Sequence, residues 1–242
     1  MAANNEVRRG AFEMTLAMLM SGTIGWLVVS SQQSALNVAF FRCLFGGATL
    51  LLICAVLGLL KRKLFSWKMI ALATLSSAAI VVNWVLLFAA YSRASISMAT
   101  TVYSTQPFML VALGALVFRE RVTASTVAWL LIAFVGLVFV VKVEPAVLAV
   151  PGQYLQGVAY AVGAAFLYAV SSIITKHLKN TPPHLIALIT VTTGVAMLAP
   201  FMQYDTLPTT GVHWLQLVTL GIVNTGSCMC CCTAPSRSCR RR

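Results

Sequence analysis

The chain has 242 residues, 60% hydrophobic and only 9% charged, against about 45–50% apolar and about 25% charged in an ordinary soluble domain. Its 17 basic and 5 acidic residues give a net charge of +12, but the bases sit in short clusters between long apolar runs, a pattern of membrane topology rather than of nucleic-acid binding. A water-soluble fold is excluded, and at about 20 residues per helical crossing the chain has room for at most about nine crossings.

Residues 1 to 10 are polar and carry Arg8 and Arg9 ahead of an apolar stretch, as a signal peptide does. The stretch runs on without a small-x-small cleavage site, so it reads as an uncleaved first helix over 13–31. Further apolar runs bounded by charges or turn residues predict helices over 38–60, 69–91, 96–118, 124–143, 155–176, 185–203 and 214 to about 230, the last degenerating towards its end. The connections are short, the polar stretch from Gln203 to His213 being among the longest. Neighbouring helices are therefore antiparallel, with no space for a soluble domain. The predicted fold is all-α, a polytopic membrane protein.

Lys and Arg are retained on the cytoplasmic side. With the N-terminus inside, that side holds Arg8, Arg9, Lys61, Arg62, Lys63, Lys68, Arg119, Arg121, Lys176 and Lys179, and the opposite side holds Arg42, Arg93 and Lys142. This bias places the N-terminus in the cytoplasm.

The sequence also repeats itself. Residues 22–31 read GTIGWLVVSS and 163–172 read GAAFLYAVSS, identical at Gly, Val, Ser and Ser in one register. Five spans separate the two copies, and an odd number of spans inverts the second unit relative to the first, as in many secondary transporters.

Little in the chain could support catalysis. The acidic residues Glu6, Glu13, Glu120, Glu144 and Asp205 and the histidines His177, His184 and His213 all fall at span ends or in loops. None of them forms a nucleophile, base or metal set such as His-Glu-x-x-His. Neither an enzyme nor a metal centre is expected, and no cofactor is needed. No carboxylate sits mid-span as a proton relay either.

Phe41-Arg42 opening the second span, TTVYSTQPFMLVALGALVFRERV over the fourth with Pro107 mid-helix and Glu120 past its inner end, and Gly136 within WLLIAFVGLVFVV in the fifth together resemble the EamA-type members of the drug/metabolite transporter superfamily. The resemblance covers residues 13 to about 226. It implies ten helices in two inverted five-helix repeats, here 1–150 and a partial second repeat over 151–226, with about seven to eight helices present. It further implies a bacterial inner-membrane protein that exports small metabolites or drugs. Two other readings remain: a truncated, transport-incompetent chain, and a membrane interaction subunit. The expected partners are a small-molecule substrate and the lipid bilayer, not nucleic acid.

Candidate substrate-binding residues are the polar and aromatic side chains inside spans: Trp26, Arg42, Asn83, Tyr103, Gln106 and Tyr168. Arg42, one turn into its span, either snorkels to the outer interface or faces a central cavity and attracts an anionic or zwitterionic group. Trp26 and Tyr168 fall one register position apart in the two repeat copies, and aromatics with amides suit small amphipathic solutes. Buried Asn and Gln equally serve to bond a neighbouring helix. Trp84 reads as packing. Pro107 removes a backbone hydrogen bond and opens the helix one turn earlier, near Tyr103; the kink is either a transport hinge or a fixed packing feature. Ser76, Ser77, Ala78 and Ala79, and Gly46 with Gly47, read as sites of close helix packing.

The tail over 227–242 breaks from the rest, with Cys228, Cys230, Cys231, Cys232 and Cys239 followed by arginines. A thiolate metal cluster and a palmitoylated tail are alternatives, but adjacent cysteines are awkward for a closed tetrahedral site. A shifted reading frame is the preferred expectation. With permitted codons from Gly226, a start two bases later yields LLHVLLYGAIQKLPT, of which HVLLYGAIQKL resembles WVLLFAAYSRA from Trp84 to Ala94. Reading the coding DNA checks it: the alternate frame should continue into two further apolar spans.

Overall fold

In the computed structural model, residues 15, 19–56, 58, 66–119, 123–140, 151–178, 181–203, 207–208 and 210–227 are described. The five acidic residues, most of the 61–68 loop, Arg121, Lys142, Lys179 and the cysteine-rich stretch 228–242 lie outside them. The described residues form helices and their connections, with no strand among them. The helices are α1 (Ile24–Ser30, preceded by helical residues 19–22), α2 (Ala35–Val56), α3 (Trp67–Ala94), α4 (Ile96–Tyr103), α5 (Gln106–Phe118), α6 (Ala124–Val140), α7 (Pro151–Lys176), α8 (Pro183–Leu198) and α9 (Gly211–Thr219). A 3₁₀ turn, Ala199–Phe201, extends α8, and a π-helical segment, Leu220–Ser227, extends α9.

Five stretches among the described residues are long and apolar enough to cross a membrane: Ala35–Val56, Trp67–Ala94, Ile96–Phe118, Gly152–Lys176 and Pro183–Phe201. Leu19–Ser30, Ala124–Gly136 and Gly211–Val223 are shorter apolar helices. The protein is therefore a polytopic helical membrane protein, in which each helix satisfies its own backbone hydrogen bonds.

Helix ends follow local chemistry. Ser95, the single residue between α3 and α4, has φ 71° and caps α4, its hydroxyl accepting from the Met98 N–H. Proline stands in the first turn of α5 and of α8, where its missing N–H has no intrahelical partner to lose. Arg119 closes α5 in the left-handed conformation, φ 53°.

The helices gather into two units, one comprising residues 1–67 and 180–242 and the other residues 68–179. In the first, α2 packs against α8 and the π-helical segment through glycines. A Cβ on Gly47 would lie 3.3 Å from the Val191 side chain, and one on Gly221 would lie 2.5 Å from Phe45 Cβ and 3.1 Å from the Gly46 nitrogen. Leu50, Cys54 and Ala187 form a buried apolar cluster. Phe41 meets Trp214 edge-on at 5.1 Å, and Trp214 Nε1 donates to the Pro208 carbonyl at 2.9 Å. Asn37, fully buried, imitates a backbone strand: its Nδ2 donates to the Gln203 carbonyl and its Oδ1 accepts the Gln203 N–H, each at 3.0 Å.

In the second unit, α7 lays a seam of small residues, Gly157, Ala161, Ala164, Ala165 and Ala169, into the interior. This spacing of three, four and seven keeps one helix face narrow, so backbones approach closely. The approach to α3 is tightest at Gly157, where a Cβ would lie 2.6 Å from Ala94 Cβ and 2.8 Å from its nitrogen. Further along the same pair of helices, Ser171 Oγ donates to the Ser76 carbonyl (3.0 Å), and Ser76 Oγ lies 2.9 Å from Ser171 Oγ and 2.8 Å from Thr175 Oγ1. Near the other end, the Arg93 guanidinium sits 5.0 Å above the Tyr160 ring. α6 turns Trp129, Ile132 and Phe139 outward, as a lipid-facing helix does.

Candidate functional site

Inside the second unit, α3, α4 and α7 bring together three of the six candidate residues. Asn83 is fully buried on α3. Its Nδ2 makes a short hydrogen bond to the Ala164 carbonyl of α7 and lies 3.4 Å from Tyr103 Oη. A carbonyl facing the amide fixes its orientation, because the reversed amide would set oxygen against oxygen. Tyr103 and Tyr168 then meet edge to face, centroids 6.2 Å apart at 76°, the arrangement that aromatic quadrupoles favour.

The helix breaks immediately after this pair. Ser104 and Thr105 form a turn between α4 and α5, and their hydroxyls donate back to the Thr100 carbonyl (2.8 Å) and the Val102 carbonyl (2.7 Å). Pro107, with no N–H, cannot restore the bond across the break. Gln106 opens α5 on its far side. Two amide oxygens here, Asn83 Oδ1 and Gln106 Oε1, are buried and have no hydrogen-bond partner among the described residues.

The remaining candidates, Trp26 and Arg42, belong to the first unit. Trp26 on α1 is 62% exposed, whereas Arg42 on α2 is 8% exposed. Trp84 is buried in α3. The serine network of Ser76, Ser171 and Thr175 was not foreseen as a unit, although Ser76 and Asn83 lie seven residues apart on α3, as do Ala164 and Ser171 on α7, which puts each pair on one helix face.

At the Lys176 end of α7 the second unit also holds a cavity of about 410 Å³ lined by Leu110, Phe118, Thr123, Thr126, Ser172 and Lys176 among others. Lys176 Nζ lies 4.1 Å from the centre of the Phe118 ring. Ser172, on the cavity wall, donates to the Tyr168 carbonyl at 2.8 Å, so the cavity begins one turn from the tyrosine pair. Among the described residues no three His, Cys, Asp or Glu side chains gather as a metal site.

A family model for EamA-like transporters matches residues 8–142, more than half of the chain. The chain belongs to the EamA-like transporter family. The matched part of this EamA-like protein holds α1 to α6, and with them Trp26, Arg42, Asn83, Tyr103, Gln106 and Pro107. It is 28% identical over 217 residues to the uncharacterized transporter YxxF of Bacillus subtilis (strain 168), an alignment covering 88% of this chain and 69% of the relative. A protein solved as a crystal structure shares the fold at a TM-score of 0.70 and 19% identity, over 92% of this chain and 77% of the other.

Proposed function

We propose that this membrane transporter exports small metabolites or drugs across the bacterial plasma membrane by alternating access, with its N-terminus in the cytoplasm. The observation that carries the proposal is the polar and aromatic cluster of fully buried Asn83 with half-buried Tyr103 and Tyr168 on the apolar helices of an EamA-like transporter. A polar group removed from water costs free energy unless it is satisfied. Intramembrane polar side chains beside a broken helix therefore favour a solute site over simple anchoring. In this reading the break at Ser104–Thr105 beside Pro107 serves as a hinge within the second unit. The bacterial setting is supported by the Bacillus relative, and the orientation by the excess of Lys and Arg on one side.

Mass-spectrometric profiling of the medium around bacteria expressing the full chain tests this. At least one small organic solute should accumulate outside faster than in cells lacking it. Tyr103→Ala should lower that export several-fold at unchanged abundance in the membrane. An unchanged profile would refute the transport reading.

A further inference from the structure

The cavity at the Lys176 end of α7 is graded in burial and in polarity. Ile173 of α7 is buried, Leu110, Gly114 and Ala115 of α5 are half-buried, and Thr123, Thr126 and Lys176 are exposed. α5 lines the cavity from Leu110 to Phe118, about 12 Å of helix at about 1.5 Å per residue. Its space comes from small side chains, since a Cβ on Gly114 would meet nothing within 4 Å. α6 does not close it, because none of the described side chains of α6 is buried. At about 410 Å³ the volume falls within the range of about 300–1,000 Å³ usual for ligand sites.

Apolar walls offer water too few hydrogen bonds to hold it, whereas a hydrocarbon chain loses nothing by leaving the surrounding lipid for them. The exposed rim suits a different chemistry. Lys176 brings a positive charge and three N–H donors, and the Phe118 ring, 4.1 Å from Nζ, holds the ammonium at the mouth. Thr123 Oγ1 and Thr126 Oγ1 lie 2.8 Å apart and use one proton between them, so the pair keeps another to donate. None of the described lining residues is acidic, and the sequence between Phe118 and Thr123 adds Arg119 and Arg121 against Glu120. A cationic headgroup would meet like charge here, and so would the chain's own C-terminal segment with Arg237, Arg240, Arg241 and Arg242. A free phosphate ion would satisfy the rim and leave the walls bare. We propose that this cavity holds an anionic phospholipid, with one acyl chain along Leu110, Gly114, Ala115 and Ile173 and its phosphate on Lys176 and the threonine hydroxyls. Its place in the cytoplasmic leaflet rests on the orientation proposed above; the binding itself does not.

Native mass spectrometry of the full chain in detergent, titrated with phosphatidylglycerol or with phosphatidylcholine of the same acyl chains, tests this. Phosphatidylglycerol should bind the more tightly, and Lys176→Gln should lower that preference about fivefold, the scale of one basic residue beside an anionic headgroup. Lys176 is exposed, so its replacement reads the preference without disturbing the fold. Gly114→Leu, which fills the cavity, should weaken phosphatidylglycerol binding several-fold at an unchanged melting temperature. Gly136→Leu, at an equally open position of α6 outside the lining, should leave binding as it was. Excess inorganic phosphate should not displace the lipid. Equal binding of the two lipids, or a preference unmoved by Lys176→Gln, overturns the proposal. Equal effects of Gly114→Leu and Gly136→Leu overturn it too, since the lipid would then lie on the outer surface, and displacement by inorganic phosphate would make this a site for a free anion. Labelling that inverts the topology moves the lipid to the other leaflet and leaves the site. Failure to detect export also leaves it, because binding in detergent requires no turnover.

Discussion

Two kinds of glycine behave differently in this fold, and the difference can be measured. Gly157 stands where α7 touches the last residue of α3, whereas a Cβ on Gly136 of α6 meets nothing within 4 Å. Gly157→Ala must push backbone against backbone, and overpacking of this kind costs about 1–3 kcal/mol. Gly136→Ala only stiffens an exposed helical position and should be neutral or slightly stabilising. Thermal unfolding in detergent, followed by tryptophan fluorescence, should give a lower transition for the first variant and an equal or higher one for the second. Sequence alone could not separate these glycines. Both sit in apolar helical runs, and which face meets a neighbour is decided by helices more than sixty residues away. The same limit hid the pairing of Asn83 with Ala164: the amide stands out in its run, but its partner is a backbone carbonyl, and every residue has one.

At the scale of helices, each predicted span coincides with an apolar helix, five of them long enough to cross a membrane among the described residues, because a helix in lipid satisfies its own backbone bonds and needs only about 20 apolar positions. The ends were less legible. Hydropathy marks the hydrocarbon, whereas α3 runs on to Ala94 and α7 begins at Pro151, ahead of the expected 155, because a proline suits a first turn. The fourth span, expected as one kinked helix, is two helices divided at Ser104–Thr105. The proline is only part of the cause, since two hydroxyls compete for the carbonyls before it. As a hinge, the break predicts that Pro107→Ala lowers the transport rate with little change in solute affinity, read from initial rates over a range of solute concentrations. A fixed packing kink predicts no change in rate. The serine contact between α3 and α7 has a different expectation. Ser76→Ala should cost about 0.6 kcal/mol, the average for hydrogen bonds between membrane helices, and no more than about 1.7 kcal/mol, their maximum. Ser171→Ala added to it should cost less than it does alone, and a double-mutant cycle by denaturant unfolding measures that coupling.

For the molecule as a whole, the basic residues make the strongest statement about orientation. Single cysteines in the 61–68 loop, in a background without the native cysteines, should resist a membrane-impermeant thiol reagent in intact spheroplasts, while cysteines at 92–95 should react; the reverse pattern would invert the topology. Composition and repeat pointed to a membrane transporter, but the grouping of helices was not visible in them. One unit is continuous in sequence and the other is assembled from its two ends. That division has a consequence in time. Asn37 and Gln203 clasp one another across 166 positions, and Gly47 awaits Val191. Residues 68–179 can settle as soon as they leave the ribosome, but α2 enters the bilayer long before α8 exists. At roughly 5–20 residues per second the interval is on the order of ten seconds or more. Throughout it, Gln203 and Val191, the contacts of Asn37 and Gly47, have yet to be made. The sequence of α2 must therefore serve two environments in succession, first as a solitary helix among lipids and insertion machinery, then as the core of its unit.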